Sequence, residues 1–225
     1  MKLYHFTKAK HGLAALRDQR VKIALIHELN DPFELIPMNL KDKVERRNFK
    51  AYKRFVAKSY GLVCFSTSRR NPVMWSHYAD KHQGVALEFQ VTDENAFPVN
   101  YEPDRICFDF ERVIENQSYS EADLNRLFST KYEDWGYEKE VRLLASLNEA
   151  VFDNGMYFEQ FSNELKLTGI ILGAECAISD EQISSALEQG RSINRKVTRP
   201  AFGSFAMVNQ RQRPNRTIKG TAANC

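Results

Sequence analysis

The sequence predicts an α+β fold with mixed or antiparallel β-sheets and flanking helices. Short apolar stretches typical of strands are interrupted by amphipathic helices, but they do not repeat as strand–helix–strand crossovers. Neither a Gly-x-Gly-x-x-Gly fingerprint nor a phosphate-binding loop occurs in the 225 residues. Both observations disfavour a doubly wound parallel sheet.

Apolar periodicity assigns the amino-terminal elements in chain order. A strand (residues 2–6), a helix (9–18) and a second strand (21–26) open the chain, and a polar-faced helix (42–60) ends at Gly61. A strand, a short helix with proline in its first turn and another strand follow, over residues 62–65, 72–78 and 84–89.

The carboxyl-terminal half carries weaker signals. A helix is predicted over residues 120–132. Ser179 and Gln182 have the spacing of a capping box, in which each side chain bonds the other residue's backbone N–H, so a helix begins there. The remaining predicted strands cover residues 141–147, 165–172, 193–199 and 202–208.

Composition indicates one globular domain over residues 1–208, followed by a basic tail. The chain is 43% hydrophobic and 12% aromatic, which suffices for one sizeable core. Residues 209–225 carry four cations, no acid and no apolar periodicity, so we predict a disordered or loosely attached tail. Weak attraction of this tail for nucleic acid is one interpretation, and a solvated charged end is the plainer one.

Targeting and metal-binding signals are not found in the sequence. No apolar run approaches the roughly 18 residues that cross a bilayer, and residues 1–5 lack the apolar region of a secretory signal. We therefore expect a cytoplasmic protein without a membrane partner. The four cysteines are scattered, and His77, Asp80 and His82 do not share one helical face, so no metal is expected.

Three polar patches carry the candidate chemistry, and the first is His5 with Thr7. Residues two apart on a strand share a face, so the His5 ring and the Thr7 hydroxyl are placed to bond ribose hydroxyls in a nucleotide pocket. The alternative is a core or surface histidine beside a threonine that caps the next helix. Taken alone, the first patch favours this alternative.

The second patch combines the hydroxyl cluster of residues 66–68 with the helix that follows it. Ser66 and Ser68 stand at a predicted strand end and are candidate cofactor-binding groups. The Tyr78 ring is placed to stack on a flat nicotinamide. Alternatively, Trp75 and Tyr78, three apart on a helix, form a core-facing pair. We favour the core for Trp75 and weigh both interpretations equally for Tyr78.

The third patch is the Glu-x-Glu pair Glu138 and Glu140. At strand spacing both carboxylates lie on one face, at the mouth of a cleft. A carboxylate fixed beneath a sugar stabilises an oxocarbenium-like transition state, a role we assign to Glu140. Glu138 is then the general base that deprotonates an acceptor. The alternative is a charged edge of surface ion pairs worth about 0–1 kcal/mol each.

The resemblance to a known family is carried by six stretches of the chain. They are residues 3–7 (LYHFT), 30–34 (NDPFE), 64–66 (CFS), 74–80 (MWSHYAD), Gly84 and 135–142 (WGYEKEVR). Together they resemble a bacterial family catalogued as domain of unknown function 2971. The NDPFE stretch has two interpretations: it reaches over the cleft and contacts a ligand through Asn30 or Asp31, or it forms a tight turn. We favour the turn, because proline fixes φ and the Asx side chain bonds the local backbone.

A more distant resemblance is to the ADP-ribosyltransferases. The His-x-Thr, Ser-Thr-Ser and Glu-x-Glu patches occur in the same order as that family's three motifs. Phe6 stands where the family has glycine, and Arg142 interrupts the apolar strand after the third motif. The resemblance implies split sheets with NAD as substrate in the cleft between them, His5 with Thr7 on the ribose, Tyr78 on nicotinamide and Glu140 as the catalytic carboxylate.

Two functions follow as hypotheses. The first is an NAD-consuming transferase that modifies a macromolecule, a toxin or phage-defence effector that a partner such as an antitoxin or immunity protein restrains. The second is a non-catalytic nucleotide- or protein-binding module of the same fold. The enzyme needs Glu140 in a cleft within reach of His5 and Tyr78, whereas the module tolerates Glu140 on an exposed sheet edge.

Overall fold

A computed structural model describes residues 1–92, 94, 96–107 and 120–221. The α-helices in these ranges are α1 (Ala9–Asp18), α2 (Lys43–Ser59), α3 (Pro72–Tyr78), α4 (Glu121–Ser129) and α5 (Asp180–Ala186). Two 3-10 helices cover Ile26–Glu28 and Glu133–Glu138. The strands are β1 (Lys2–Thr7), β2 (Arg20–Lys22), β3 (Ala24–Leu25), β4 (Tyr60–Ser66), β5 (Val85–Val91), β6 (Ala96–Pro98), β7 (Asn100–Glu102), β8 (Thr130–Tyr132), β9 (Glu140–Ser146), β10 (Val151–Asp153), β11 (Met156–Gln160), β12 (Leu165–Leu172), β13 (Ser192–Pro200), β14 (Met207–Asn209) and β15 (Arg216–Lys219).

The fold is α+β with mixed and antiparallel sheets, which confirms the predicted class. Ten of the described strands form one sheet in the order β14–β13–β12–β5–β1–β4–β9–β6, with β15 also on β13 and β3 also on β4. Only β12 and β13 are parallel neighbours in this sheet. Smaller sheets join β10, β11 and β2, and β7 with β8.

The large sheet is split between β1 and β4. Their ladder consists of one residue pair, Tyr4 opposite Ser66, whereas β1 pairs with β5 over six residues. Past this pair the His5 ring replaces a backbone donor, because its Nδ1 lies 2.9 Å from the Cys64 carbonyl oxygen. The strands therefore part at the end of β1 and leave a cleft between the two halves of the sheet.

Both faces of the central strands are covered. Successive strand residues point to opposite faces, so Leu87 packs in the main core with Leu16 of α1 while Ala86 packs in a second cluster with Trp75 of α3. Trp75 is fully buried, as predicted, and its Nε1 donates to the Arg69 carbonyl oxygen at 2.8 Å. Among the described helices, none is long and apolar enough to cross a membrane.

Local signals set several helix ends as predicted. The Asp42 side chain accepts hydrogen bonds from the backbone N–H groups of Val44 and Glu45, which places the start of α2. The capping box of Ser179 and Gln182 is formed at the start of α5. Residues 130–132, predicted as the end of a helix, instead form β8, because they pair in parallel with β7.

The described part of the predicted tail differs from the prediction. Residues 216–219 form β15, which pairs antiparallel with β13 over four residues. Ile218, only 9% exposed, packs into the main core. The prediction of a disordered tail is therefore wrong for this segment, because ladder hydrogen bonds and one apolar anchor attach it to the sheet.

Candidate functional site

A cavity of about 140 Å³ opens in the split between β1 and β4. The end of β1, the end of β4, α3 and the residues that lead into β9 supply its walls. Five of the seven side chains singled out from the sequence line it: His5, Ser66, Tyr78, Glu138 and Glu140. The fold thus gathers into one cleft residues from four separate stretches of the chain.

His5 presents a neutral imidazole to this cleft. A carbonyl oxygen only accepts hydrogen bonds, so Nδ1 carries the proton that it donates to Cys64 O. Burial lowers the pKa of His5, an effect that the bond to Cys64 partly offsets. Near neutral pH, Nε2 therefore keeps its lone pair and is able to accept a hydrogen bond from a ligand hydroxyl.

A cluster of five buried charged side chains backs the cavity, and we call it the charged cluster. Its members are Glu34, Lys131, Glu138, Glu140 and Arg142. Lys131 lies at its centre. The Lys131 Nζ atom is 3.0 Å from a carboxylate oxygen of Glu34, 2.7 Å from one of Glu138 and 3.3 Å from one of Glu140.

Arg142 is the second cation of the charged cluster and is fully buried. Its Nε lies 2.9 Å from Glu140 Oε1, and one terminal nitrogen lies 3.1 Å from Glu140 Oε2, a bidentate pairing. The same terminal nitrogen is 2.7 Å from Glu34 Oε2, and the other donates to Phe128 O at 2.9 Å. Arg142 thereby ties β9 to the loop before α2 and to the end of α4.

The charge balance of the cluster is negative. Three carboxylates face two cations, so one negative charge is in excess when every group is ionised. Each carboxylate has a cationic partner, but a net charge that is buried and not balanced is unfavourable. The cavity beside the cluster is therefore an environment that favours a cationic group.

The two predicted catalytic carboxyls differ in acidity. Burial tends to raise the pKa of Glu140, but the charges of Arg142 and Lys131 lower it to about 2. Burial raises the pKa of Glu138, and Lys131 and the Tyr78 hydroxyl offset only part of this rise. Glu140 is therefore a fixed anion, while Glu138 is the group that takes up a proton more readily.

The backbone around these carboxyls corrects one prediction. Glu138 ends the 3-10 helix Glu133–Glu138, and Glu140 begins β9, so the two residues do not alternate along one strand. Lys139 between them has φ of 47°, in the left-handed region, and turns the chain. The carboxylates still meet, because both contact Lys131.

Tyr78 contacts Glu138 directly. Its hydroxyl donates to Glu138 Oε1 and accepts from Asn30 Nδ2, the latter at 3.1 Å. Asn30 lines the cavity as well. Asp31 has the turn role, because its Oδ1 accepts from the Phe33 N–H at 2.8 Å.

The hydroxyl cluster after β4 holds the backbone of the site. Ser66 Oγ donates to the Glu138 carbonyl oxygen at 2.5 Å and accepts from the Ser68 N–H at 3.1 Å. Ser68 lies outside the cavity wall, and its Oγ accepts from the Arg70 N–H at 3.3 Å. Ser66 thus positions Glu138, while the structure does not bring Ser68 to the cavity.

Thr7 lies in a larger neighbouring groove of about 490 Å³. This groove runs between α1 and the sheet of β2, β10 and β11, and it shares His5 and Phe6 with the small cavity. Arg17, Arg20 and Lys22 line it together with Asp18 and Asp153. Each of these cations forms an ion pair, with Asp18, Asp153 and Glu28 respectively.

Three site residues were missed by sequence reasoning. Lys131 stood inside a predicted helix, and Glu34 belonged to a stretch interpreted as a turn, so neither carried a recognisable signal of charge pairing. Cys64 is the third. Burial and the nearby Glu140 raise the pKa of its thiol well above the usual value, so Cys64 stays protonated beside the cluster.

Residues 74–143 match the model of a family described as "Protein of unknown function (DUF2971)". This match confirms the family resemblance, and it contains the stretches 74–80, Gly84 and 135–142. It covers α3 from Met74 onwards, Lys131 and the residues from Glu138 to Arg142. No curated protein and no solved structure gives a match to the chain. The resemblance to ADP-ribosyltransferases therefore stays a prediction.

Proposed function

We propose that the protein is an NAD-dependent ADP-ribosyltransferase-like enzyme that cleaves the nicotinamide–ribose bond and transfers ADP-ribose to a macromolecule. The observation that carries the proposal is the cavity of the split sheet, which collects His5, Ser66, Tyr78, Glu138 and Glu140. It meets the condition for an enzyme set out above, Glu140 in a cleft beside His5 and Tyr78.

The charge of the site supports this substrate. The pyridinium ring of NAD is cationic, and the ribose becomes cationic as the glycosidic bond breaks. The charged cluster has one carboxylate more than it has cations, so it favours both states. The Tyr78 ring at the cavity wall offers a face for a flat cation.

The sizes of the two spaces support a dinucleotide. A cavity of about 140 Å³ suits a single ring, whereas pockets for larger ligands measure roughly 300–1,000 Å³. The neighbouring groove of about 490 Å³ shares His5 with the cavity and contains Thr7. Its lining has three cations and two carboxylates, so its charge is positive by one. The nicotinamide end is assigned to the small cavity, and the anionic ADP part to the groove.

The residues have distinct roles in the proposed reaction. The C–N bond to nicotinamide breaks, and its electron pair leaves with the ring nitrogen, while Glu140 stabilises the positive ribose as a permanent anion. An acceptor O–H or N–H then attacks the anomeric carbon. Its proton goes to Glu138, whose raised pKa suits a general base.

A second candidate is a non-catalytic nucleotide- or protein-binding module. One observation favours it: both oxygens of Glu140 are already bonded, since Arg142 holds each of them and Lys131 also contacts Oε2. A carboxylate held this way is also what a purely structural ion pair requires. The experiment below separates the two candidates.

The test incubates the protein with NAD labelled in its adenylate phosphate and with a cell lysate, and follows nicotinamide release and label transfer. We expect label on a macromolecule, which protease and nuclease digestion assigns to protein, DNA or RNA. Glu140→Gln should lower the rate of nicotinamide release about 10²–10³-fold. Glu149→Gln, at an exposed site, is the matched control and should retain activity.

Each outcome decides between the candidates. Label transfer that depends on Glu140 supports the transferase, and release without transfer contradicts the transfer step. NAD binding without release in any lysate supports the module. Tyr78→Ala leaves the ion pairs intact and should also abolish release, so the test remains decisive if Glu140→Gln does not fold.

A toxin or phage-defence role is part of the same proposal. In this proposal, unrestrained transfer of ADP-ribose harms the cell that makes the enzyme, and a partner protein restrains it. Induced expression in bacteria should therefore slow growth for the wild type and not for Glu140→Gln. Equal growth of both strains at equal protein levels would contradict this role.

A further inference from the structure

The carboxyl-terminal part of the chain is strongly basic. After Glu188 the sequence contains eight cations and no acid. The cations are Arg191, Arg195, Lys196, Arg199, Arg211, Arg213, Arg216 and Lys219. Because the whole chain carries a net charge of only +3, the remainder of the molecule is net acidic, and the positive charge is concentrated in β13, β14, β15 and their loops.

Half of these cations have no carboxylate partner within the described part of the chain. Arg191, Arg195 and Lys196 pair with Glu188, Asp180 and Glu88 respectively, at 2.7–2.8 Å. Arg216 makes only a long contact of 3.5 Å, with an exposed side chain. The cations left without an ion pair there are Arg199, Arg211, Arg213 and Lys219.

Strand pairing arranges these cations along one edge of the large sheet. β14 and β15 pair with the same side of β13, with Arg199 opposite Val208 and Arg195 opposite Arg216. Arg211 and Arg213 lie in the exposed connection between β14 and β15. Residues 199–219 thus form one continuous basic surface along the outer side of β13, which we call the basic edge.

Two aromatic rings project from the same edge. Phe202 and Phe205, in the loop that joins β13 to β14, are 95% and 101% exposed. The loop is closed by a backbone hydrogen bond from Ala201 N to Ala206 O at 2.8 Å, so it holds both rings in solvent. The Arg199 guanidinium lies 4.3 Å from the centre of the Phe202 ring.

The basic edge adjoins the candidate site. The Met207 N–H of β14 donates to the Arg70 carbonyl oxygen at 2.8 Å. Arg70 belongs to the loop that follows β4, and Ser66, the last residue of β4, lines the cavity. Met207 also packs in the second cluster together with Tyr78, which lines the cavity, so β14 lies behind this wall of the site.

We infer that the basic edge binds single-stranded nucleic acid, with phosphates on the free cations and bases stacked on Phe202 and Phe205. Phosphate neutralisation by Lys and Arg supplies affinity, and exposed aromatic rings stack on unpaired bases of any sequence. A duplex hides the faces of its bases, so the exposed rings favour a single strand. The identification of the bound strand as the ADP-ribose acceptor rests on the proposed function, whereas the binding itself does not.

The α2 helix is the competing basic surface. It carries seven cations and one acid, and its Phe55 is 68% exposed. A charged helix face of this kind is commonly just solvated. The basic edge differs in containing no acid and in pairing its cations with two fully exposed rings.

Fluorescence anisotropy with labelled 20-nucleotide single strands and a matched duplex, in the absence of NAD, tests the inference. We expect tighter binding of the single strand and a slope of log affinity against log salt of about −3, for four phosphates neutralised. Phe202→Ala with Phe205→Ala should weaken binding at least about fivefold per ring. Phe152→Ala, another exposed ring on a different sheet, is the control and should change nothing.

Charge variants complete the test. Arg211→Ser with Arg213→Ser should make the salt slope shallower by about 1.4, since two phosphate contacts are lost. The inference is overturned if edge variants bind like the wild type while Arg47→Ser with Arg54→Ser in α2 loses binding. It is equally overturned if the edge variants lose binding to phosphatidylserine vesicles and the wild type binds no oligonucleotide.

Binding and catalysis fail separately in these measurements. Oligonucleotide binding without nicotinamide release would support nucleic-acid binding by the basic edge and contradict the proposed transferase activity. Nicotinamide release without oligonucleotide binding would support cleavage of NAD and contradict nucleic-acid binding by the basic edge. If both hold, Phe202→Ala with Phe205→Ala should raise the acceptor concentration that is needed for half-maximal label transfer to nucleic acid.

Discussion

At the residue scale, the site depends on two carboxyl groups that share one lysine and differ in acidity. Glu138 and Glu140 both contact Lys131, but only Glu140 is held by Arg142 as well. Environments that push the pKa values of neighbouring groups apart are the usual way in which one site obtains both a fixed charge and a proton carrier. This division of roles is open to direct measurement.

The Tyr78 hydroxyl stabilises the ionised form of Glu138 by donating to it. Tyr78→Phe should therefore raise the pKa of Glu138 further, because a carboxylate that loses a donor is easier to protonate. A pH titration of the Glu138 side-chain carboxyl carbon by NMR measures the shift. Tyr60→Phe, at an exposed tyrosine, is the control, and an unchanged pKa in Tyr78→Phe would contradict the hydrogen bond.

Arg142 is predicted to stabilise the fold as well as the site. Arg142→Met leaves Glu34 and Glu140 buried without their main partner, which should lower the free energy of unfolding by about 3–5 kcal/mol. Arg191→Met, which removes an exposed pair with Glu188, should cost no more than about 1 kcal/mol. Urea unfolding measures both, and equal losses would show that the cluster is not a buried network.

At the element scale, the turn between α3 and β5 packs against the end of β12. Asp80, Lys81 and His82 all have positive φ, an uncommon run for residues other than glycine. The neighbouring backbone holds it in place: the His82 carbonyl accepts from Glu175 N at 3.1 Å, and Gly173 N donates to Gly84 O at 3.0 Å. The turn thus joins two central strands at the end of the sheet where the cavity lies.

A methyl group at Gly173 has no room in this contact. Its Cβ would lie 2.1 Å from the His82 carbonyl oxygen, which is backbone and cannot rotate away. Gly173→Ala should therefore lower the free energy of unfolding by about 1–3 kcal/mol. Gly203→Ala has nothing within 4 Å and should cause no loss, so thermal unfolding of the pair checks the packing.

At the scale of the whole molecule, the split sheet buries a charged cluster that makes stability depend on pH. The folded pKa of Glu140, about 2, lies below its ordinary value of 4.5, so the folded state favours the ionised carboxylate. Its contribution is present above pH 4.5 and is lost as pH falls towards 2. Glu138 has the opposite sign, because its folded pKa is raised and its ionised form is disfavoured.

The free energy of unfolding should therefore fall as the pH is lowered from about 4.5 to 2. Glu140→Gln removes the group responsible and should give a shallower slope in this window, even though it is less stable at pH 7. Urea midpoints measured at half-unit pH steps test the slope. An identical acid slope in wild type and variant would mean that Glu140 is not a strongly paired anion.

Short-range signals in the sequence determined much of this protein. Apolar periodicity placed β12 over its observed residues, a proline in the first turn placed α3, and the Ser179 capping box placed α5. The polar patches also named five residues of the cavity in advance. These features depend on neighbours within a few positions, which a sequence displays directly.

Only the tertiary structure decided how these residues are used. Lys131 and Glu34 lie 97 residues apart in the chain, yet they meet at 3.0 Å and set the acidity of the site together with Arg142. β15 is ordered because β13 offers it an edge, and Glu138 reaches Glu140 through a turn at Lys139 instead of along a strand. Such contacts form by sheet pairing and burial between residues that are far apart in the chain. The residues next to each partner in the sequence therefore do not predict them.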